Sequence, residues 1–201
     1  MSAANAALFR EPQVRGAYLA ARGFSVQGRR SGGLKDPVVV DLAAGQVLLR
    51  TYRDPARWLG DWWTTPHEMQ TVIDYFGRGG PAFGEGRNIG KGILQATLAV
   101  RWDWDGNDAG HLGLVTAVRL TTPLKAFYGE GDVAPNDAQT HTLKPVAIFV
   151  GGRQRGVRQV FIPSARTYSA SFRIAERDGH SDSDLVRMAR QYDQGPAPFE
   201  R

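Results

Sequence analysis

The 201-residue chain contains no cysteine. Disulfide bonds and thiolate metal sites are therefore excluded, and the fold has to be stabilised by packing. Its apolar stretches are too short to cross a bilayer, and residues 1–10 lack the basic start and long apolar run of a signal peptide. These features predict a soluble cytoplasmic protein, or one exported by a route that does not read such a signal.

Lysine is scarce, so arginine carries nearly all of the positive charge. The chain has 25 Lys and Arg against 20 Asp and Glu, a formal net charge of +5. Arginine favours planar, two-point contact with phosphates. Because the basic residues are spread out, with no dense run beyond Arg29 and Arg30, a solvated basic surface is the simpler interpretation and a nucleic-acid surface stays an open alternative.

Motifs for metals and nucleoside triphosphates fail on spacing. The glycine-rich residues 84–92 lack the Ser or Thr that would hold magnesium in a phosphate-binding loop. Residues 103–108 resemble a calcium loop, but Leu114 stands at the closing Glu position. No metal site is predicted, because none of the histidines makes a metal pair on one helix face: His67, His111, His141 and His180.

One helix has clear start and stop signals. Residues 65–68 form a capping box, with Pro66 at the first helical position, and Gly77 ends the helix. Its apolar positions follow helical spacing: Met69, Val72, Ile73 and Phe76.

The remaining elements favour an α+β fold rather than a doubly wound parallel sheet, because strands and helices do not alternate regularly. Helices are predicted from Pro12 to Gly23 and from Leu185 to Tyr192, with loops at 25–35 and 78–92. Three parts are expected: a helical N-terminal segment and loop (1–35), an α+β domain (36–175), and a C-terminal helix and tail (176–201), with the tail after Gly195 expected to be loose. Predicted strands are 38–40, 46–53, 94–103, 112–120, 146–150, 159–162 and 168–174. The turn-forming Gly151 and Gly152 are expected to join the strands 146–150 and 159–162.

Three motifs stand in order along the chain and bring polar side chains to strand ends. An Arg lies near the end of a strand, a pair of Thr hydroxyls stands between a strand and a helix, and a Gln opens a late strand. Each alone has a simpler explanation as a surface arginine, a helix cap or an ordinary strand residue. The motifs are residues 45–53 with Arg50, residues 60–66 with Thr64 and Thr65, and residues 157–163 with Gln159.

This order resembles the ADP-ribosyltransferase superfamily of bacterial toxins. The resemblance implies an ADP-ribosyltransferase-like split β-sheet core with flanking helices. It also implies that Arg50 binds NAD phosphates and that the Thr strand forms the nicotinamide-ribose pocket. In that family a Glu engages the ribose 2′-hydroxyl, and here Gln159 stands at its position. Arg followed by Gln is more similar to the NAD-glycohydrolase toxins of the same fold.

The resemblance implies cleavage of the nicotinamide–ribose bond of NAD+, by an NAD glycohydrolase or mono-ADP-ribosyltransferase acting as a toxin or effector delivered into a target cell. NAD+ would be substrate, and further partners would be a protein or nucleic-acid acceptor and a cognate inhibitor protein, with no membrane. The alternative is a non-catalytic NAD- or nucleic-acid-binding module. Arg50 and Gln159 are the catalytic candidates, and the NAD-binding candidates, expected to share one cleft, are Arg50, Tyr52, Arg53, Trp63, Thr64, Thr65 and Phe76.

Overall fold

The computed structural model of this chain describes residues 2–24, 33–52, 55–77, 114–132, 147–179 and 182–200. Within these ranges the chain forms nine strands and three α-helices, in addition to short 3-10 turns. The helices are α1 (Gln13–Ala21), α2 (Pro66–Gly77) and α3 (Asp182–Tyr192). The strands are β1 (Gly33–Leu42), β2 (Val47–Tyr52), β3 (Trp62–Trp63), β4 (Leu114–Leu120), β5 (Leu124–Asp132), β6 (Ile148–Val150), β7 (Arg153–Arg155), β8 (Arg158–Phe161) and β9 (Phe172–Gly179).

The core is a β-sheet split into two parts. One sheet has the order β1-β5-β8-β3 and the other the order β2-β4-β9, with every neighbouring pair antiparallel. The two sheets meet at one point, where the backbones of Leu49 and Thr64 exchange two hydrogen bonds of 2.9 Å. Strands β6 and β7 form a separate hairpin. The bridge makes β2, β3 and β8 consecutive neighbours across the split.

Buried side chains from both sheets share one core, and helices cover the opposite faces. Leu48 and Val118 of the second sheet pack with Trp63, Tyr128 and Val160 of the first. α1 covers the other side of the first sheet, over Phe127 and Phe161. α2 and α3 cover the other side of the second sheet, over Val47 and Leu49. This arrangement confirms the α+β class with a split sheet core and flanking helices.

Several local predictions are confirmed. α1 ends before Gly23, which has a φ of +79°. α2 runs from Pro66 to Gly77 as predicted, and Thr65 caps it. Helix α3 and the strands β2, β4 and β8 also fall where they were expected.

Other predictions are wrong in specific places. Residues 33–35 were assigned to a loop but begin β1, where the backbone of Gly33 lies against Arg22 too closely to leave room for a Cβ atom. Residues 168–171 were assigned to a strand but belong to a 3-10 helix that follows Ser164, whose φ of +56° turns the chain before β9. The boundaries of the three predicted parts, at 35/36 and 175/176, lie within β1 and β9, and the division into these parts stays a prediction.

The Gly151–Gly152 turn connects different strands from those predicted. Both glycines have positive φ, +57° and +77°, as a two-residue hairpin turn requires. The turn joins β6 to β7 rather than to β8. Strand β5 was not predicted at all. The predicted loop at 78–92 and the predicted strand at 94–103 lie outside the described residues.

Candidate functional site

Arg50 lies on β2 and reaches across the split toward β3. Its Nη1 donates a hydrogen bond of 2.9 Å to the backbone carbonyl of Trp62, and its guanidinium carbon stands 5.9 Å from the centre of the Trp63 ring. A cation over an aromatic ring is attracted by the negative face of the ring. The guanidinium is thus oriented by two residues of the neighbouring strand.

Gly60 makes room for this guanidinium. A Cβ atom on Gly60 would lie 2.5 Å from the guanidinium carbon of Arg50 and 2.5 Å from its Nη2 atom. Real Cβ atoms essentially never lie this close to a non-bonded atom, so the guanidinium would have to shift. Glycine is therefore required at position 60 if Arg50 is to keep its place beside β3.

The charge of Arg50 is held in a partly dehydrated setting. Burial lowers the pKa of Arg50 to about 10, although the nearby charge of Asp61 acts in the opposite direction. Asp61 accepts a hydrogen bond of 2.9 Å from the backbone N–H of Ala165, and burial raises the pKa of this carboxyl above its ordinary value. Arg50 remains cationic at neutral pH, and its field is poorly screened by solvent.

In the described part of the chain, buried polar atoms without a partner occur on Arg50, on Trp63 beside it, and on the neighbouring Thr64. Among the residues that the structure describes, the buried Arg50 Nε, Trp63 Nε1 and Thr64 Oγ1 atoms lack a hydrogen bond. Leaving a buried donor or acceptor unpaired costs about 1–3 kcal/mol. Two of these atoms are obligate donors, and the third is a hydroxyl that can also donate. The group is suited to a ligand rich in acceptor oxygens.

The two threonines have different roles. Thr64 is 4% exposed and its backbone forms the bridge between the sheets. Thr65 is the N-cap of α2, since its Oγ1 accepts a hydrogen bond of 3.1 Å from the backbone N–H of Glu68. Of the two interactions of the predicted capping box, the one made by the Thr65 hydroxyl is therefore present.

Glu68 does not serve the capping box with its carboxylate. That carboxylate pairs with Arg155 through two hydrogen bonds of 2.5 and 2.6 Å, and it accepts a third of 2.9 Å from the backbone N–H of Arg158. Glu68 is 2% exposed. Burial opposes the charge of Arg155, but the hydrogen bonds and charge of Glu68 outweigh it and raise the pKa of Arg155. This buried ion pair fixes the start of β8 against α2.

Gln159 directly follows Arg158 on β8. Its side chain lies on the face of β8 opposite to the one that packs in the core shared by the two sheets. Val160 pairs with Trp63 and packs in the core shared by the two sheets, whereas Phe161 packs beneath α1. Side chains alternate along a strand, so Gln159 shares the face of Phe161. Its side chain is 6% exposed. Gln159 is thus on β8, the strand that pairs with Trp63 of β3. The guanidinium of Arg50 stands against the ring of this tryptophan.

The remaining predicted site residues are only partly located. Tyr52 ends β2, is 3% exposed, and is close enough to Arg50 to influence its charge. Phe76 lies in the last turn of α2. Arg53 lies outside the described residues. The structure brings Arg50, Tyr52, Trp63 and Thr64 together around the bridge between the sheets.

Sequence reasoning missed the supports of this site. Gly60 and Asp61 stood inside the second motif but were not selected, because nothing in the sequence shows which side chain will approach a glycine. Glu68 was taken for a capping residue only. The partner that would have revealed its second role, Arg155, lies 87 residues away along the chain.

The described residues contain neither a cluster of metal-binding side chains nor a helix that could span a membrane. No group of three or more His, Cys, Asp or Glu side chains in these ranges could hold a metal ion. No α-helix in the described part of the chain has the length and apolar character needed to span a membrane.

No protein-family model matches the chain, and no curated protein matches it. Solved structures similar to the fold include Rhs1-CT in complex with the cognate immunity protein RhsI1, with a TM-score of 0.49, 11% identity, and coverage of 82% of this chain and 95% of that one. Tse6 in complex with Tsi6 gives a TM-score of 0.33, 15% identity and coverage of 86% and 89%. Tne2 in complex with Tni2 gives a TM-score of 0.35, 16% identity and coverage of 76% and 96%. At these scores the likeness carries no functional conclusion for this chain.

Proposed function

We propose that this chain cleaves the nicotinamide–ribose bond of NAD+, as an NAD glycohydrolase or mono-ADP-ribosyltransferase, and acts as a toxin or effector. The proposal joins the order of motifs in the sequence to the surroundings of Arg50. A cognate inhibitor protein and, for the transferase, a macromolecular acceptor are the partners that belong to this proposal. Delivery into a target cell belongs to it as well.

The observation that carries the proposal is the dehydrated guanidinium of Arg50 beside the ring of Trp63, whose buried Nε1 has no hydrogen-bond partner among the described residues. A pyrophosphate offers the acceptor oxygens and the negative charge that this group lacks. Hydrogen bonds to a charged partner are shorter and about twice as strong as neutral ones. In this role Arg50 binds the NAD+ phosphates, and Trp63 and Thr64 line the adjoining part of the site.

The reaction itself needs little covalent chemistry from the protein. The bond between the ribose carbon and the nicotinamide nitrogen breaks, and nicotinamide leaves with the bonding electron pair. Water then adds to the ribose carbon and releases a proton, which gives ADP-ribose; in the transferase, an acceptor nucleophile takes the place of water. Positive charge develops on the ribose, so an orienting site and a favourable field provide the rate.

Gln159 distinguishes this chain from the family that it resembles. A glutamine provides a dipole where the resembled family has a carboxylate, and strand alternation directs it to the face of Phe161. This observation favours a second candidate function, which is NAD+ binding without turnover. In that case the Arg50 site binds the dinucleotide and no nicotinamide is released.

The two functions are separated by measuring binding and cleavage on the same protein. Cleavage predicts nicotinamide release from NAD+ that Arg50→Ala abolishes. Binding without turnover predicts a calorimetric signal for NAD+ and no nicotinamide. Labelled NAD+ distinguishes the two enzymes, because a transferase leaves label on an acceptor and a hydrolase yields free ADP-ribose. Absence of both binding and release would refute both functions.

A further inference from the structure

A short C-terminal segment lies over residues next to the candidate site. Residues 198–200 form a 3-10 turn, Pro198–Glu200. The turn closes on itself, since Glu200 bonds the backbone of Ala197 both through its N–H, at 2.9 Å, and through its carboxylate, at 2.6 Å. Gly195, with a φ of +77°, precedes it. The segment is therefore a small preformed unit on a chain that turns just before it.

Phe199 of this segment contacts an aromatic residue of β5. Its ring lies 4.8 Å from the ring of Tyr128, at an interplanar angle of 65°. The guanidinium carbon of Arg158 lies 5.9 Å from the centre of the same tyrosine ring. Phe199 is only partly buried, although it packs against the core shared by the two sheets. Tyr128 is thus an aromatic platform whose contacts include a ring and a cation.

Glu200 accepts hydrogen bonds from two donors, one through its negatively charged carboxylate and one through its backbone carbonyl. Its carboxylate accepts a hydrogen bond of 2.5 Å from Thr65 Oγ1, and its backbone carbonyl accepts one of 3.1 Å from Arg158 Nη1. Thr65 is one of the predicted NAD-binding residues, and Arg158 directly precedes Gln159. The segment therefore occupies the hydroxyl that caps α2 and the guanidinium at the start of β8, the strand to which the resemblance assigns the ribose.

Phe199 and Glu200 set an aromatic ring beside an anion. A nucleoside phosphate combines the same two groups, a base and a phosphate. A base can contact Tyr128 edge to face as the Phe199 ring does, because aromatic rings favour this arrangement as well as offset stacking. Phosphate oxygens accept hydrogen bonds from a hydroxyl and a guanidinium as Glu200 does. One small surface thus offers the recognition elements for both parts of such a ligand.

We propose that Thr65, Tyr128 and Arg158 form a nucleoside-phosphate subsite, and that residues 198–200 occupy it in the free chain as a displaceable mimic of the ligand. This inference rests on the proposed function, because it names a part of the same NAD+ site and a regulation of it. A ligand has to displace the segment before it binds. Its apparent affinity is therefore lowered by the fraction of molecules in which the segment is seated.

The test compares ADP binding by calorimetry in three chains. The first is the unaltered chain, the second carries Phe199→Ala with Glu200→Gln, and the third is a control with exposed residues of the same types replaced, Phe149→Ala with Glu11→Gln. The double variant at 199 and 200 is expected to bind ADP about tenfold more tightly, and the control is expected to match the unaltered chain. ADP is the probe because it lacks the bond that the proposed reaction breaks.

Equal or weaker ADP binding in the 199/200 variant would overturn the inference, and so would the absence of ADP binding in all three chains. Thermal unfolding of each chain shows whether it is folded. If the loss of Phe199 unfolds the variant, Glu200→Gln alone is used, with about threefold tighter binding expected.

Nicotinamide release by the same proteins keeps the two proposals apart. Tighter ADP binding without nicotinamide release refutes the cleavage reaction and supports the subsite. Nicotinamide release with unchanged ADP affinity refutes the subsite mimic and supports the reaction.

Discussion

Replacing Gly60 by alanine is expected to displace Arg50 without removing any charged group from the chain. The added methyl would start 2.5 Å from the guanidinium carbon, whereas ordinary contacts begin at 3.4 Å. The guanidinium must therefore retreat by about 1 Å, because two heavy atoms cannot interpenetrate. Arg50 would lose its 2.9 Å hydrogen bond to the Trp62 carbonyl and its position over Trp63.

The size of the effect follows from those two contacts. A hydrogen bond from a charged group contributes about 1.5–3 kcal/mol, and a cation over an aromatic ring contributes about 0.5–1 kcal/mol. Alanine restricts the unfolded chain more than glycine does, which raises the free energy of unfolding by about 0.4–1 kcal/mol. We expect Gly60→Ala to lower the free energy of unfolding by about 1–3.5 kcal/mol. NAD+ binding should weaken as well, by about tenfold or more, because the guanidinium no longer faces the phosphates.

The assay is urea denaturation together with NAD+ calorimetry, with Gly16→Ala as the matched control. A Cβ atom on Gly16 meets nothing within 4 Å, and this glycine lies inside α1. Alanine there should stabilise the protein by about 0.5–1 kcal/mol. Stability and NAD+ affinity that stay unchanged in Gly60→Ala would refute the placement of Arg50.

The remaining predictions concern the ion pair, the cap and pH. Glu68→Gln should lower the free energy of unfolding by about 3–5 kcal/mol, since it leaves the buried Arg155 without its ion-pair partner. Asp41→Asn, at the exposed pair with Lys125, should change it by less than about 1 kcal/mol. Similar losses for both variants in urea denaturation would contradict this prediction. Thr65→Ala should lower it by about 1 kcal/mol through loss of the α2 cap, and no loss would show that the cap is dispensable. NAD+ affinity should fall as pH rises through about 10, where Arg50 loses its proton. Because the pKa of Arg50 is lowered in the folded state, its contribution to the free energy of unfolding rises with pH in this range. A loss of affinity that merely follows unfolding would therefore contradict the account.

Much of the local structure was predictable because its causes are local. The start of α2 follows from the Thr65 hydroxyl and from Pro66, both of which act within one turn of the helix. The apolar pattern of β2 and β4 likewise predicts two strands. Their pairing, Val47 with Arg119 through Tyr52 with Leu114, is a long-range fact that the pattern does not contain.

Strand β5 was missed because glycines interrupt its pattern. Gly129 and Gly131 weaken the sequence signal for a strand. The structure shows why Gly129 is there: a Cβ atom would lie 2.9 Å from the backbone carbonyl oxygen of Lys35 on the neighbouring strand. A glycine that permits close approach of two strands looks, in the sequence alone, like a loop residue.

The candidate site was predictable in part. The motif around Arg50 and Thr64 lies at the bridge between the two sheets, so these residues do come together. The face of Gln159 could not be foreseen, because it depends on which side of β8 meets the shared core. The segment at Pro198–Glu200 was expected to be loose, and its contacts with Thr65 and Arg158 correct that view.

The most direct test of the proposed reaction is nicotinamide release from NAD+ by the unaltered chain, by Arg50→Ala and by Arg173→Ala. Arg173 is an exposed arginine on β9 and serves as the matched control. The account predicts release by the unaltered chain and by Arg173→Ala, and only background release by Arg50→Ala. Equal release by all three proteins, or background release by all three, would contradict it.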